Sequence, residues 1–136
     1  PNSYIPDLSA RLSLYQTIMG KDSIEDLEII EDEILDRFGI FPEPVKILIE
    51  KAKMRLYCKD IDIISVKKNG TLVSLKFNYS LDSLKNIIRE ILDQDVHIGY
   101  SHIKIEDKSS DLKFVKNTNK FFIKLLDLKS RFIHSL

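Results

Sequence analysis

Cysteine is nearly absent: Cys58 stands alone among 136 residues. That rules out an internal disulfide and suits a reducing compartment. Glycine is scarce as well, and Gly20, Gly39, Gly70 and Gly99 each stand alone. No phosphate-cradling Gly-rich loop or Gly-Lys-Ser/Thr element can be built from them, so P-loop nucleotide hydrolysis is excluded for this chain. No apolar run approaches the ~20 residues needed to cross a bilayer. The opening PNSYIPDLSA has neither a basic nor an apolar leader region. The expectation is a cytoplasmic chain with no membrane contact.

Histidine is the third scarcity. His97 and His102 are five apart in strand-like sequence, so they are expected on opposite faces, and His134 lies far off. No metal ligand set is expected. A nucleophile at Cys58 would need a histidine beside it, and no spacing supplies one. Carboxylates are plentiful, but on amphipathic helices they usually form a solvated face. The expected reading is no enzyme, no catalytic residue, no cofactor and no metal.

What is present is a folded composition, 43% hydrophobic and 31% charged. A length of 136 residues fits one domain, residues 1–136, with a core of its own. The net charge of zero is an average over segments of opposite sign. Residues 22–37 hold eight acidic side chains against Arg37 alone. Residues 44–59 hold Lys46, Lys51, Lys53, Arg55 and Lys59 against Glu50, and residues 108–136 hold seven Lys or Arg against two Asp. Such segregation can orient a partner, or the acidic and basic helices can pair with each other.

Along the chain, Asp7 caps a predicted helix over residues 8–19, with Leu8, Leu12, Tyr15 and Met19 on one side and Gly20 as its stop. Ser23 with Asp26 resembles a capping box opening a second helix, whose stripe is Leu27, Ile30, Ile34 and Phe38 and whose end is Gly39. Pro44 suits the first turn of a third helix carrying Val45, Leu48, Ile49, Ala52 and Leu56. The period then changes. Residues 61–66 are rich in β-branched side chains, Asn69-Gly70 is a hairpin signal, and Val73, Leu75 and Phe77 alternate inward over residues 72–77. Ser80 is expected to cap a fourth helix with Leu84, Ile87, Ile88, Ile91 and Leu92. Residues 96–100 and 102–106 read as a second hairpin. A final helix is expected from Thr118, using Phe121, Phe122, Leu125, Leu128 and Phe132. The fold class is α+β: three N-terminal helices, a β-hairpin, a helix, a second short β-hairpin and a long C-terminal helix. The helices are expected to pack on a small, largely antiparallel sheet.

At about 100° per residue, the stripe of the second helix spans roughly 80°. Asp36 falls opposite it, with Glu33 and Arg37 round one flank. Ile29 lands on this polar side, ringed by Glu25, Glu33 and Asp36. An apolar anchor inside a charged rim is how binding patches are often built. The alternative is that Ile29 packs under a neighbouring helix while Glu33 and Arg37 form an i,i+4 pair worth about 0.3–0.5 kcal/mol. The candidate partner-binding residues are therefore Ile29, Glu33, Asp36 and Arg37.

Several ordered segments carry a resemblance. They are Ile5-Pro6-Asp7, then Arg11-Leu12 with Leu14-Tyr15, then Glu33-Ile34-Leu35-Asp36-Arg37-Phe38-Gly39 with Pro42, and the Ala52 helix with Arg55-Leu56. Together they resemble the C-terminal domain of the bacterial transcription-repair coupling factors (the Mfd family). The match is good over residues 4–66 and beyond that follows only the order of elements. Ile34-Leu35 stands where the family has Leu-Ile, a swap neutral for packing. The resemblance implies a fragment of an ATP-dependent DNA translocase whose other domains carry the motor, with its ATP and Mg, and the RNA polymerase contact. It also implies a regulatory, autoinhibitory role in transcription-coupled DNA repair. The domain would fold against a module similar to UvrB and mask the surface that recruits UvrA. Glu33 and Asp36, with Arg37 beside them, would make that contact; on physical grounds Arg37 has the alternative of bracing the Glu33 carboxylate.

A second reading belongs to another class. Lys113, Lys116, Lys120, Lys124 and Arg131, with Phe121 and Phe122 among them, would line a phosphate-binding ridge of an accessory nucleic-acid-binding domain. Against it, those lysines are the polar face any amphipathic helix needs, and the phenylalanines suit a core.

Overall fold

The computed structural model describes residues 7–92 and 96–134, and side chains as far as residue 130. Five α-helices and four strands follow in the order α1 (Leu8–Met19), α2 (Ile24–Phe38), α3 (Glu43–Ile61), β1 (Ile63–Asn69), β2 (Leu72–Phe77), α4 (Lys85–Leu92), β3 (His97–Ile98), β4 (His102–Glu106) and α5 (Asp111–His134). The fold class is the expected α+β, with a four-stranded antiparallel sheet. The chain resolves into two compact units, one up to Leu56 and one from Tyr57.

The first unit is built by capping and by one apolar cluster. The Asp7 carboxylate accepts from the Ser9 amide at 3.0 Å, and the Ser23 hydroxyl accepts from the Asp26 amide at 3.1 Å. These side chains satisfy amides that a helix start leaves without partners. Ile18, Leu27, Ile34, Val45, Ile49, Ala52 and Leu56 form the buried cluster. The expected stripes of α2 and α3 point into it; that of α1 does not. Leu8, Leu12 and Tyr15 are exposed, while Ile18 is buried and Leu14 and Met19 are half-buried. Two apolar rows compete on α1, and the Leu14–Ile18 row packs because its partners on α2 and α3 are there to receive it. The Arg55 guanidinium closes the α1–α2 turn by donating to the Lys21 carbonyl at 2.6 Å.

In the second unit the sheet order is β1-β2-β4-β3. Val73 pairs with Ile105 and Leu75 with Ile103, which also pairs with Ile98, so one face is apolar. Val73, Leu75 and Phe77 are all buried, as their alternation predicts. β1 begins two residues later than expected and runs three further, because a bulge intervenes: Ile63 pairs with Phe77 but Ser65 with Lys76. The extra residue, Ile64, is exposed, and the inward set becomes Ile63, Val66 and Lys68. Lys68 reaches the Ser109 carbonyl at 3.1 Å and lies 5.0 Å over the Phe114 ring. The hairpin turn is one residue later than Asn-Gly implies. Asn69 pairs with Leu72, and Gly70 at φ 61° is the first central residue, followed by Thr71. Glycine first with a non-glycine second is the pattern of a II′ turn.

Ser80 does not cap α4: its hydroxyl accepts from the Asp82 amide at 3.2 Å in a local turn, and a short 3-10 turn (Asp82–Leu84) with Leu81 at its N-cap position comes before the helix. The final helix starts at Asp111, seven residues before the expected Thr118. Ser110 is the reason: its hydroxyl accepts from the Lys113 amide at 3.3 Å. The side chain of Phe132, expected in this helix's core face, lies outside the described residues.

Candidate functional site

Helix α2 positions all four candidate residues. Leu27 and Ile34 are buried, Ile30 and Phe38 half-buried, and the opposite face carries Ile29, Glu33, Asp36 and Arg37, all exposed. Ile29 keeps 57% of its surface exposed, so it does not pack under a neighbouring helix within the described chain. Glu25, Asp32 and Asp36 surround it at helical spacings and are exposed too.

The local pair expected between Glu33 and Arg37 is not formed. The ion pairs among the described residues are Lys53 with Glu31 (3.2 Å), Lys53 with Glu50 (3.7 Å) and Lys85 with Asp82 (3.5 Å). Arg37 instead lays its guanidinium 5.3 Å over the Phe38 ring. The aromatic face competes successfully because an exposed i,i+4 pair gains only a few tenths of a kcal/mol. Among the described residues Glu33 and Asp36 are therefore left as open acceptors, and Arg37 does not brace Glu33. The pairing of the acidic helix with the basic third helix is realised at Glu31 alone among the eight acids of residues 22–37.

Two exposed apolar side chains near the face were not visible in the helical pattern. Leu35 lies on the flank of α2 at 45% exposure, and Ile40, beyond Gly39, at 84%. The Gly39-Ile40-Phe41 sequence is the only signal for Ile40: Phe41 joins the cluster and leaves its neighbour outside.

The chemistry-bearing residues fall elsewhere. The burial of Cys58 pushes its thiol up to about 11, which suppresses the thiolate a nucleophile needs. His97 and His102 share a face, contrary to expectation, with ring centroids 5.5 Å apart. The alternation rule holds along one strand, but a turn intervenes and His97 opposes Lys104, the residue two beyond His102. Among the described residues no group of three His, Cys, Asp or Glu side chains is placed to hold a metal ion. No described helix is long and apolar enough to cross a membrane. Phe121 and Phe122 are buried, at 4% and 0% exposure, while Lys113, Lys116, Lys120 and Lys124 are exposed. The side chain of Arg131 lies outside the described residues.

The fold is mixed α+β, and its first unit presents an open acidic helix face with an apolar centre. Residues 1–88 match the TRCF domain family, well over half of the chain, and the chain belongs to that family. Among its relatives is the transcription-repair-coupling factor of Escherichia coli K12, 35% identical over 69 residues. Another is that of Rickettsia conorii, 27% identical over 119 residues, 88% of this chain. The chain spans 6% and 10% of the lengths of these two relatives. The fold matches a crystal structure of the C-terminal domain of transcription-repair coupling factor with a TM-score of 0.80 at 20% identity, covering 96% of this chain and 88% of that one.

Proposed function

We propose that this chain is the C-terminal regulatory domain of a larger transcription-repair coupling factor, without catalytic activity of its own. In this reading it is autoinhibitory. It docks on the UvrB-like module of the same protein and covers the surface that recruits UvrA until the protein engages a stalled RNA polymerase on DNA. ATP and Mg act in the motor domains, and the site of action is the cytoplasm. The observation that carries the reading is the α2 face, where Glu33 and Asp36 are exposed beside the exposed Ile29 and form no ion pair among the described residues. Side-chain carboxylates left open in this way are suited to arginines of a partner, and the isoleucine excludes water from the contact.

The nucleic-acid alternative keeps its lysines but loses its stacking platform, because both phenylalanines are buried.

A titration against the separately expressed UvrB-like module, at low and at physiological salt, tests the reading. Saturable binding that weakens with salt and falls at least tenfold in Asp36→Arg is expected. Binding that Asp36→Arg and Glu33→Ala leave unchanged would remove α2 from the contact.

A further inference from the structure

The second unit holds a groove that the α2 face does not use. It has a volume of about 440 Å³ and is bounded by β2, β4, α4 and α5. That size is within the range of about 300–1,000 Å³ typical of ligand sites. Its floor is apolar, made by Val73, Leu75, Ile91, Ile105 and Phe121. Its rim is cationic: Lys108, Lys113, Lys120 and Lys124 all line it and all are exposed.

The two carboxylates at the groove, Glu106 and Asp107, do not neutralise those lysines. Glu106 accepts from the Thr71 hydroxyl at 2.5 Å, and Asp107 accepts from the amide and hydroxyl of Ser109, the amide at 2.8 Å. None of the four ammonium groups forms an ion pair among the described residues. An apolar floor alone would suit any greasy ligand, and a lysine row alone any polyanion. The two together select a ligand that is both.

From these observations we infer that the groove binds a short acidic peptide segment carrying one bulky apolar side chain. The apolar side chain enters between the sheet and α5, and flanking Asp or Glu carboxylates meet the lysines. Lys113 and Lys124 are eleven residues apart on one helix, about 16 Å along the axis, which matches about five residues of extended peptide. A nucleic acid strand fits less well, since it would need an exposed aromatic for its bases and Phe121 belongs to the floor. The site is independent of Glu33 and Asp36.

The test is an anisotropy titration of the 136-residue chain with a fluorescein-labelled peptide of six Asp and Glu residues around one central Phe, at low salt. Saturable binding is expected. Lys120→Glu with Lys124→Glu should weaken it more than tenfold. Asn117→Trp, which fills the groove from an exposed position, should weaken it to a similar extent while the circular dichroism spectrum stays unchanged. Backbone amide shifts on titration should cluster at residues 105–109 and 117–124. Absence of saturable binding, or equal affinity for the peptide with Phe replaced by Ala, overturns the inference. Equal binding of an oligothymidylate of the same charge that Asn117→Trp does not weaken reduces the groove to a cation patch and overturns it too. Concentration-dependent shifts at the same amides without peptide would put a second copy's acidic helix there, which also contradicts it.

Discussion

Asp62 carries a positive φ, 66°, in the step from α3 to β1. Aspartate tolerates the left-handed region better than most residues, and here its side chain and carbonyl are both occupied. Asn78 donates its side-chain amide to the Asp62 carboxylate at 3.1 Å and its backbone amide to the Asp62 carbonyl at 3.1 Å. Asp62→Val is expected to cost about 1–2 kcal/mol in urea unfolding, while Asp62→Asn stays within about 0.5 kcal/mol. Next to this step, Tyr79 donates its hydroxyl to the Ile61 carbonyl at 2.9 Å. Burial, and then the Asp62 charge, raise its pKa above 10.0, and burial raises Cys58 from 9.0 to about 11. Both groups hold their protons longer in the folded chain than in the unfolded one. The unfolded state therefore loses protons first, and stability falls as pH rises from about 9 toward 11. A urea midpoint flat through neutral pH and declining above about 9 is the expected profile. Iodoacetamide should accordingly label Cys58 slowly at neutral pH, with a rate still climbing beyond pH 9. The contrast with Arg37 is instructive at the same scale. Spacing put Arg37 in reach of Glu33, but the neighbouring ring offered a competing contact that spacing does not record.

At the scale of elements, α2 separates packing from presentation in one helix. Ile34→Ala should cost about 2–5 kcal/mol because it opens a cavity in the cluster of the first unit, whereas Ile29→Ala should stay within about 0.5 kcal/mol. Thermal melts of the pair measure this directly, and a large loss at Ile29 would mean it is core. Ser23→Ala, which leaves the Asp26 amide without its cap, is expected to cost about 1 kcal/mol. Element positions were legible wherever caps and periodicity agreed: α1 ends as Asp7 and Gly20 imply, and β2 is as its alternation implies. Where expectation and structure differ, the causes are local. Ser110 is as good a cap as Ser23, but the strongest apolar run of α5 begins at Phe121, so the periodicity of its first turns is weak. The β1 bulge cannot be read from β1, because it is set by pairing with β2. The close approach in the second hairpin is likewise a matter of tertiary placement: a Cβ on Gly99 would lie 2.2 Å from the His102 ring.

On the scale of the whole molecule, the zero net charge conceals an opposition. Residues 1–56 carry eleven acidic and seven basic side chains, a net −4, and residues 57–136 carry ten acidic and fourteen basic, a net +4. Adsorption follows local fields rather than the sum. At pH 7.3 and low ionic strength the chain is expected to be retained on both anion and cation exchangers. Both should release it as the Debye length falls below about 10 Å near 0.1 M salt. Asp36→Arg should weaken retention on the anion exchanger only, and the Lys120→Glu, Lys124→Glu double variant on the cation exchanger only. Flow-through of the parent chain on both would mean the opposed charges cancel locally.

Consecutive residues alone carry the class of fold, the polar face of α2 with Ile29 at its centre, and the family resemblance. These depend on short-range regularities, 3.6- and 2-residue periods and the identities of capping residues, that are written in consecutive positions. Tertiary structure decided which of two apolar rows on α1 is core, that Glu33 and Arg37 stay apart, that His97 and His102 meet, and that α5 seats buried phenylalanines while its lysines rim a groove. Each of these is settled by a competition between partners distant in sequence, and the winner is whichever contact the packed neighbours make available.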